Sequence, residues 1–478
     1  MQITVGGCFL LIACLYLGIR YRHSYRELFQ AFFIFSILSG ILLNLGYAGK
    51  VGSFEIAYNY ILSIVMFFVS LAVLFHTGFD HRMLGWMLVL LAETLVGLLL
   101  AMRTSYQSIP FQMNWDPYFG TGTALPIVGV DYKQFILMLG RILLFFINIM
   151  AFKKACDRTW ILKASSLAFK ITLGVIGVAA LEMILDNAAS PTLFRNAMIT
   201  FFGNSAATYQ IPRQFFGIYM PLLSFTEPSE ASFAYFLLAI NALFQIYQGK
   251  RKTSIAVLLI LVLLLATGGS LSSAVYLVLI LVLACFVLCR SVPKGILVLC
   301  LLGIPTGILG FRLFGSRIEN IFKYLSSFSQ GNTSLPQGSE IVRMFSIYNN
   351  LTYFLKSPLL GTGLGTIYSF SGFVTTLTDI GLLGLFVWSA CLASGLDNLH
   401  FHKGSLALAF VFFFASFAVT GHMGIMTYLD KSFFLFVILA SLGRKEQILF
   451  TFEKYKDAIL ADILDTPEGE TTLIRLSN

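Results

Sequence analysis

The sequence predicts an all-α, polytopic transmembrane bundle of about 12–14 spans with two long outer loops. Three observations predict it. Of the 478 residues, 57% are hydrophobic and only 12% charged, against about 25% charged in ordinary soluble domains. The apolar residues fall in runs close to the roughly 20 that a spanning helix needs. Lys and Arg recur at nearly every second connection between those runs, as expected when cytoplasmic loops retain positive charge.

Ile3–Ile19 ends at the basic stretch YRHSYR. Its positive charge follows the apolar run instead of preceding it, which predicts an uncleaved first span with its N-terminus outside. Leu28–Tyr47 then runs outward to a short loop holding Lys50 and Glu55, and Ile56–Phe75 returns to HTGFDHR. Met83–Ala101 runs out to a loop from Met102 to Tyr132, and Gln134–Ala151 returns to the basic FKKACDR. Leu162–Leu181 leads to the first long outer loop, 182–228, and Ser229–Tyr247 comes back to QGKRK, the strongest inside signal. Ser254–Ala266 and Ala274–Leu288 flank a tight TGGSLSS turn, and Gly295–Phe311 leads to the second long outer loop, 312–368. Phe373–Gly395 returns to LDNLHFHK, Leu406–Val419 goes out to GHMG, and Ile425–Leu442 returns to GRKEQ. Residues 1–443 thus form the membrane domain, with about thirteen helices by this reading. Residues 444–478 form an inner tail whose apolar residues recur at helical spacing, as in an interfacial amphipathic helix.

Other classes are excluded or weakened by the same residues. The net charge of +9 is accounted for by inner-loop cations, so it does not call for nucleic acid. The seven cysteines form no Cys-x-x-Cys, and the six histidines show no ligand spacing. No disulfide framework, metal site or cofactor is expected.

Loops as long as 182–228 and 312–368 exceed ordinary helix connections. Their aromatic residues, among them Phe201, Phe202, Phe345 and Tyr348, suggest short helices lying on the membrane surface. They also hold cations: Arg195 and Arg213 in the first, Arg312, Arg317, Lys323, Arg343 and Lys356 in the second. These either pair with lipid phosphates and with Glu319 or Glu340, or bind an anionic ligand such as phosphate, which arginine grips bidentately. Glu340 and Arg343 share a helix face. The GTGLG that follows, with Gly361 and Gly363, is either a hinge or a nest of N–H groups for an anion. In FTEPSEASFAYFL, Pro228 opens a helix with Glu227 before it and Glu230 in its first turn. These carboxylates cap that helix, or one acts as a base at the outer rim. His422, the one histidine on the outer side, is a structural hydrogen-bonder or a proton carrier. Glu93, Arg141, Lys170 and Asp379 fall inside spans, with Asp430 near an outer end. Glu93 and Arg141, at similar depth on consecutive spans, are expected to pair, because intramembrane charge is costly alone. Asp379, under the second long loop, could hold its arginines or contribute to a site.

The run Arg343, Pro358, Leu359, Gly361, Gly363, Asp379, Gly381, Gly384 resembles the signature region of the O-antigen ligase and polymerase (Wzy-type) family. That pattern is an arginine, about fifteen residues, Pro-Leu-x-Gly-x-Gly, then a span opening with an acidic residue and Gly-x-x-Gly. EPSEASFAYFL and ATGGSLSSAVYLVLILVL resemble two further stretches of polysaccharide polymerases. Many members carry Ser-Arg where this chain has Ser270-Leu271, so an anion-binding arginine expected there is missing.

The resemblance implies a metal-independent glycosyltransferase of the bacterial cytoplasmic membrane, facing the periplasm or exterior. Its substrates would be oligosaccharide repeat units on undecaprenyl diphosphate. A flippase and a chain-length regulator are its possible neighbours. Arg213 and Arg343 would bind the diphosphate, with Arg195, Arg312 and Arg317 as weaker candidates. Glu227, Glu230 or His422 would be the base, with Glu340 the weaker choice; Asp379, Arg141, Gly361 and Gly363 would support the site. A ligase acting on a lipid A core remains open. So does a flippase, although neither paired halves nor a span broken at mid-membrane is visible in the sequence.

Overall fold

The fold was analysed in a computed structural model. It describes residues 2–42, 47–51, 54–103, 132–189, 193–202, 214–215, 218–219, 221–223, 228–266, 275–276, 278–284, 350–365, 371–401, 403–419 and 431–442, with single positions 319, 322, 323, 326 and 347. The principal helices are α1 (Val5–Arg20), α2 (Tyr25–Leu42), α3 (Tyr58–Thr77), α4 (His81–Arg103), α5 (Tyr132–Ala155) and α6 (Arg158–Ala188). After these come α7 (Leu193–Phe202), α8 (Pro228–Tyr247), α9 (Thr253–Ala266), α10 (Gly372–Gly395), α11 (Lys403–Val419) and α12 (Lys431–Ser441). Among the described residues, five helices are long and apolar enough to cross a membrane, and five shorter ones are apolar. The chain is an all-α polytopic helical bundle with the character of a multi-pass membrane protein.

Helix direction alternates as the loop charges predict. At one end, Arg26 pairs with Asp157, Lys153 with Asp80 at 2.8 Å, and Arg82 with Asp397 at 3.2 Å. Asn398 Nδ2 donates to the Lys153 and Cys156 carbonyls at 2.7 and 2.8 Å. Arg251 reaches Ser166 Oγ at 3.2 Å and lies over the Phe169 ring. These bonds place the starts of α2, α4, α6, α9 and α11 and the ends of α1, α3, α5, α8 and α10 together at a basic end. The opposite end holds the end of α6 and the starts of α8, α10 and α12.

Asp80 lies between α3 and α4. Burial works to raise its pKa, but the Lys153 ammonium and the Met83 N–H outweigh it and hold the carboxyl below its usual range. A depressed carboxylate contributes stability above its unfolded value, near 3.9, that is lost as pH falls through the lower folded value. Lys153→Met is expected to cost about 1–3 kcal/mol, with the difference from wild type shrinking below about pH 4. Thermal unfolding in detergent across pH measures both.

Lipid is as apolar as leucine, so the helices associate by close packing and interhelical hydrogen bonds, with no drive to exclude water. Aromatic side chains fill the centre. Phe33 contacts Phe152, Trp160 and Phe433, with ring centroids 5.4, 5.3 and 5.9 Å apart, and Phe145 stacks on Trp388. Buried polar groups bond one another: Ser70 to Asn148 at 2.6 Å, and Ser165 to Asn241 and Gln245 at 2.6 and 2.7 Å.

The structure differs locally from expectation in three places. The expected loop around Lys50 and Glu55 is a hairpin, β2 (Tyr47–Val51) with β3 (Phe54–Ala57), extended by β1 (Gln2–Ile3). Lys50 faces Glu55 across it, and Thr4 joins it to α1 through its N–H to the Ala48 carbonyl at 3.0 Å. The second difference is α6, which runs to Ala188, past the expected span end at Leu181. Its 31 residues extend about 46 Å at 1.5 Å per residue, longer than a bilayer core. The third is α10, treated below. The inner tail and the span expected at Gly295–Phe311 lie outside the described residues.

Candidate functional site

Two built features stand out, one where α6 meets the chain before α8 and one within α10. The first joins α6, α8 and the chain before α8. Glu182 is fully buried, and its carboxylate accepts the N–H groups of Leu222 and Leu223 at 2.9 and 2.7 Å. Leu223 adopts a φ of 54°, a conformation that disfavours an L side chain, so the two bonds hold a strained turn. Asn187 brackets the backbone of Tyr219, and the Tyr235 hydroxyl donates to the Pro221 carbonyl at 3.3 Å. Glu230 sits half-buried in the first turn of α8, within electrostatic range of the Tyr276 hydroxyl. Removing the carboxylate in Glu182→Ala leaves two buried donors unsatisfied and is expected to cost about 3 kcal/mol. Thermal unfolding detects that loss; Glu182→Gln, which keeps one acceptor, should recover part of it.

The second feature is a break in α10. Gly381 adopts φ 64° and ψ −172° inside Gly372–Gly395, a region open only to glycine. It divides the span into residues 372–380 and 382–395, with the break in its middle third. A break in hydrocarbon strands carbonyls on one side and N–H groups on the other, and such backbone is tolerated only when protein satisfies it. The loop 357–365 does so. Thr362 and Gly363 N–H donate to the Thr378 and Asp379 carbonyls at 2.7 and 3.0 Å. In return Leu382 and Leu383 N–H donate to the Pro358 and Leu359 carbonyls at 2.9 and 3.0 Å. Four backbone bonds thus replace the missing helical ones. A short helical stretch, 350–356, leads into the loop, and Thr378 Oγ1 ties back to the Asn350 carbonyl at 3.3 Å.

Glycine is required on both sides of this contact. A Cβ at Gly361, whose φ is 70°, would stand 2.5 Å from the Asp379 carbonyl oxygen. A Cβ at Gly381 would run into the Leu359 carbonyl and approach the Gly361 nitrogen to 2.5 Å. Helix α4 backs the joint: a Cβ at Gly97 would lie 3.2 Å from the Leu360 carbonyl, and one at Gly384 would lie 2.8 Å from a Glu93 carboxylate oxygen.

The expected site residues fare unequally. Gly361 and Gly363, with φ of 70° and 96°, shape the loop that fills the break in α10. They do not form an anion nest here, because the N–H groups of Gly361, Thr362, Gly363 and Gly365 are taken by protein acceptors. Asp379 is buried directly before the break and accepts the Gly365 N–H on Oδ2 at 3.3 Å. The expected pair between Glu93 and Arg141 is not formed. Neither Glu93 oxygen has a hydrogen-bond partner, and half-buried Arg141 engages other groups. Arg195 lies on α7, with its side chain outside the description. Arg213, Glu227, Arg312, Arg317, Glu340, Arg343 and His422 lie outside the described residues. Lys323 pairs with Glu319 one helical turn away at 2.7 Å, an exposed pair. No group of His, Cys, Asp and Glu able to hold a metal occurs among the described residues.

Sequence reasoning missed the role of Glu182, which it placed at the first residue of a loop. It also missed the break at Gly381. A signal for the break was present in the close repetition of glycine at 361, 363, 381 and 384. No protein-family model matches the chain, and no curated protein matches it.

Proposed function

We propose that the protein is a polysaccharide polymerase. It would transfer a growing glycan from undecaprenyl diphosphate to a lipid-linked oligosaccharide repeat unit, at the outer face of a bacterial cytoplasmic membrane. The observation that carries this is the ordered run from Arg343 through Pro358-Leu-x-Gly-x-Gly to Asp379-x-Gly-x-x-Gly. Its glycines at 361 and 381 are the ones that interlock loop and broken span, which supports reading the run as one functional unit.

Departure of a lipid diphosphate leaves negative charge that fixed cations stabilise. Arg343 and Arg213 are assigned that task, with Arg195, Arg312 and Arg317 as further cations. The acceptor hydroxyl needs a base near its proton. Glu227, Glu230 and His422 are the candidates, with Glu340 the weaker one. Glu230 stands in the first turn of α8, at the same end of the bundle as the start of α10. Lipid tails would lie along the apolar helix faces.

The break in α10 favours a second reading, transport of the same lipid-linked oligosaccharide, because transporters bind cargo where helices are interrupted. One experiment separates the readings. Purified protein is mixed in detergent, without sided vesicles, with undecaprenyl-diphosphate-linked repeat units. A polymerase makes a ladder of products. A transporter leaves the units unchanged, and a ligase makes product only when a lipid A core is added.

A further inference from the structure

Glu93 stands at the middle of α4, is only 5% exposed, and has no hydrogen-bond partner on either oxygen. Its carboxylate occupies the space that Gly384 leaves open, in the first turn of the half-helix 382–395. One turn further along α4, Gly97 lies against Leu360 and Gly363 of the inserted loop. Residues four apart share a helix face, so one face of α4 presents Glu93 to the broken span and seats the loop.

An ionised carboxylate here would have lost its water without gaining a partner. The N-terminal turn of a half-helix favours negative charge, but by less than the penalty for burying an unpaired ion. The neutral acid is therefore the form this packing accepts. The charged and titratable groups on the elements packed around it do not alter that. Helix α10 offers Asp379, which accepts the Gly365 N–H, and Cys391 nearer the basic end. Helix α5 offers Tyr132, Lys133, Arg141, Lys153 and Lys154, of which Lys153 is paired with Asp80 and Arg141 does not reach Glu93. The loop is preceded by Lys356, held over the Tyr353 ring at 4.8 Å. His81, Arg82 and Arg103 lie in the end turns of α4 itself.

We propose that Glu93 is a proton-binding site, loaded while loop 357–365 is seated in the break of α10. Transient unseating of the loop, in a minor population, admits water to the carboxylate, which then ionises and releases one proton. Proton uptake and loop seating are thus linked, and alkaline conditions favour the open arrangement. A permanently neutral group would do no more here than leucine; a glutamate adds the capacity to change charge when the joint opens. This inference does not depend on which substrate the protein acts on.

The test uses the full-length purified protein in lipid nanodiscs. Infrared spectra at neutral pH should show the C=O stretch of a protonated carboxyl, shifted in D2O, that disappears in Glu93→Gln and persists in Asp379→Asn. Hydrogen exchange of peptides covering 357–365 and 378–384, corrected for intrinsic base catalysis, should rise about tenfold between roughly pH 6 and pH 9 in wild type. In Glu93→Gln it should stay flat. A protonated band unchanged by Glu93→Gln would overturn the proposal, as would wild-type exchange independent of pH. If Glu93→Gln fails to fold, the wild-type spectrum alone decides against it when no protonated carboxyl is present at neutral pH.

Discussion

Arg343→Ala is expected to collapse the product ladder to unpolymerised repeat units while leaving the protein in the membrane at normal levels. The physical reason is charge. On the proposed reaction a lipid diphosphate gains negative charge as the glycosidic bond breaks, and the Arg343 guanidinium is assigned to neutralise it. Removing one fixed donor from a transition-state anion typically costs about 10²–10³ in rate. Lysine keeps the charge and loses the bidentate geometry, so Arg343→Lys should retain a short ladder. Chain-length profiles on gels, with protein levels measured alongside, check both variants. An unaltered ladder in Arg343→Ala would remove this residue from the mechanism.

Gly381→Ala is expected to be the most damaging single substitution in the described bundle. Alanine cannot adopt φ 64° and ψ −172° without strain of about 1–3 kcal/mol. Its Cβ would also collide with the Leu359 carbonyl. Relief requires the loop to withdraw, which would strand four backbone groups, the carbonyls of residues 378 and 379 and the N–H groups of 382 and 383. Each buried unsatisfied group costs about 1–3 kcal/mol. The expected outcome is loss of most folded protein, read by thermal unfolding and by the yield of monodisperse material in detergent. Gly384→Ala is a companion test at a position without positive φ: its Cβ would stand 2.6 Å from the Ile380 Cβ, which cannot swing away, and 2.8 Å from a Glu93 carboxylate oxygen, so it too is expected to destabilise the joint.

The bundle was legible in the sequence because span length and loop charge are local signals. Lys153, Lys154, Arg158, Lys250 and Arg251 mark the basic end, and the interactions of Lys153 with Asp80 and of Arg251 with Ser166 group these connections there. The glycine-rich turn at Gly361 was legible too. Its partner was not, because the bonds between 358–363 and 378–383 join segments about twenty residues apart, and no hydropathy pattern encodes such pairing. Glu93 and Arg141 show the converse error. Equal depth on consecutive spans suggested an ion pair, but depth does not fix rotation, and Glu93 faces Gly384 of α10 instead. Glu182 was placed in a loop because a carboxylate usually ends an apolar run. Here two backbone N–H groups satisfy it inside the protein.

The most direct measurement is the length distribution of the surface glycan after the gene is deleted from its own organism and then restored. Polymerase function predicts that deletion leaves single repeat units, on lipid carrier or final acceptor, and that restoration returns the ladder while restoration with Arg343→Ala does not. A full-length ladder persisting after deletion, or full-length polymer accumulating on undecaprenyl diphosphate, would contradict it.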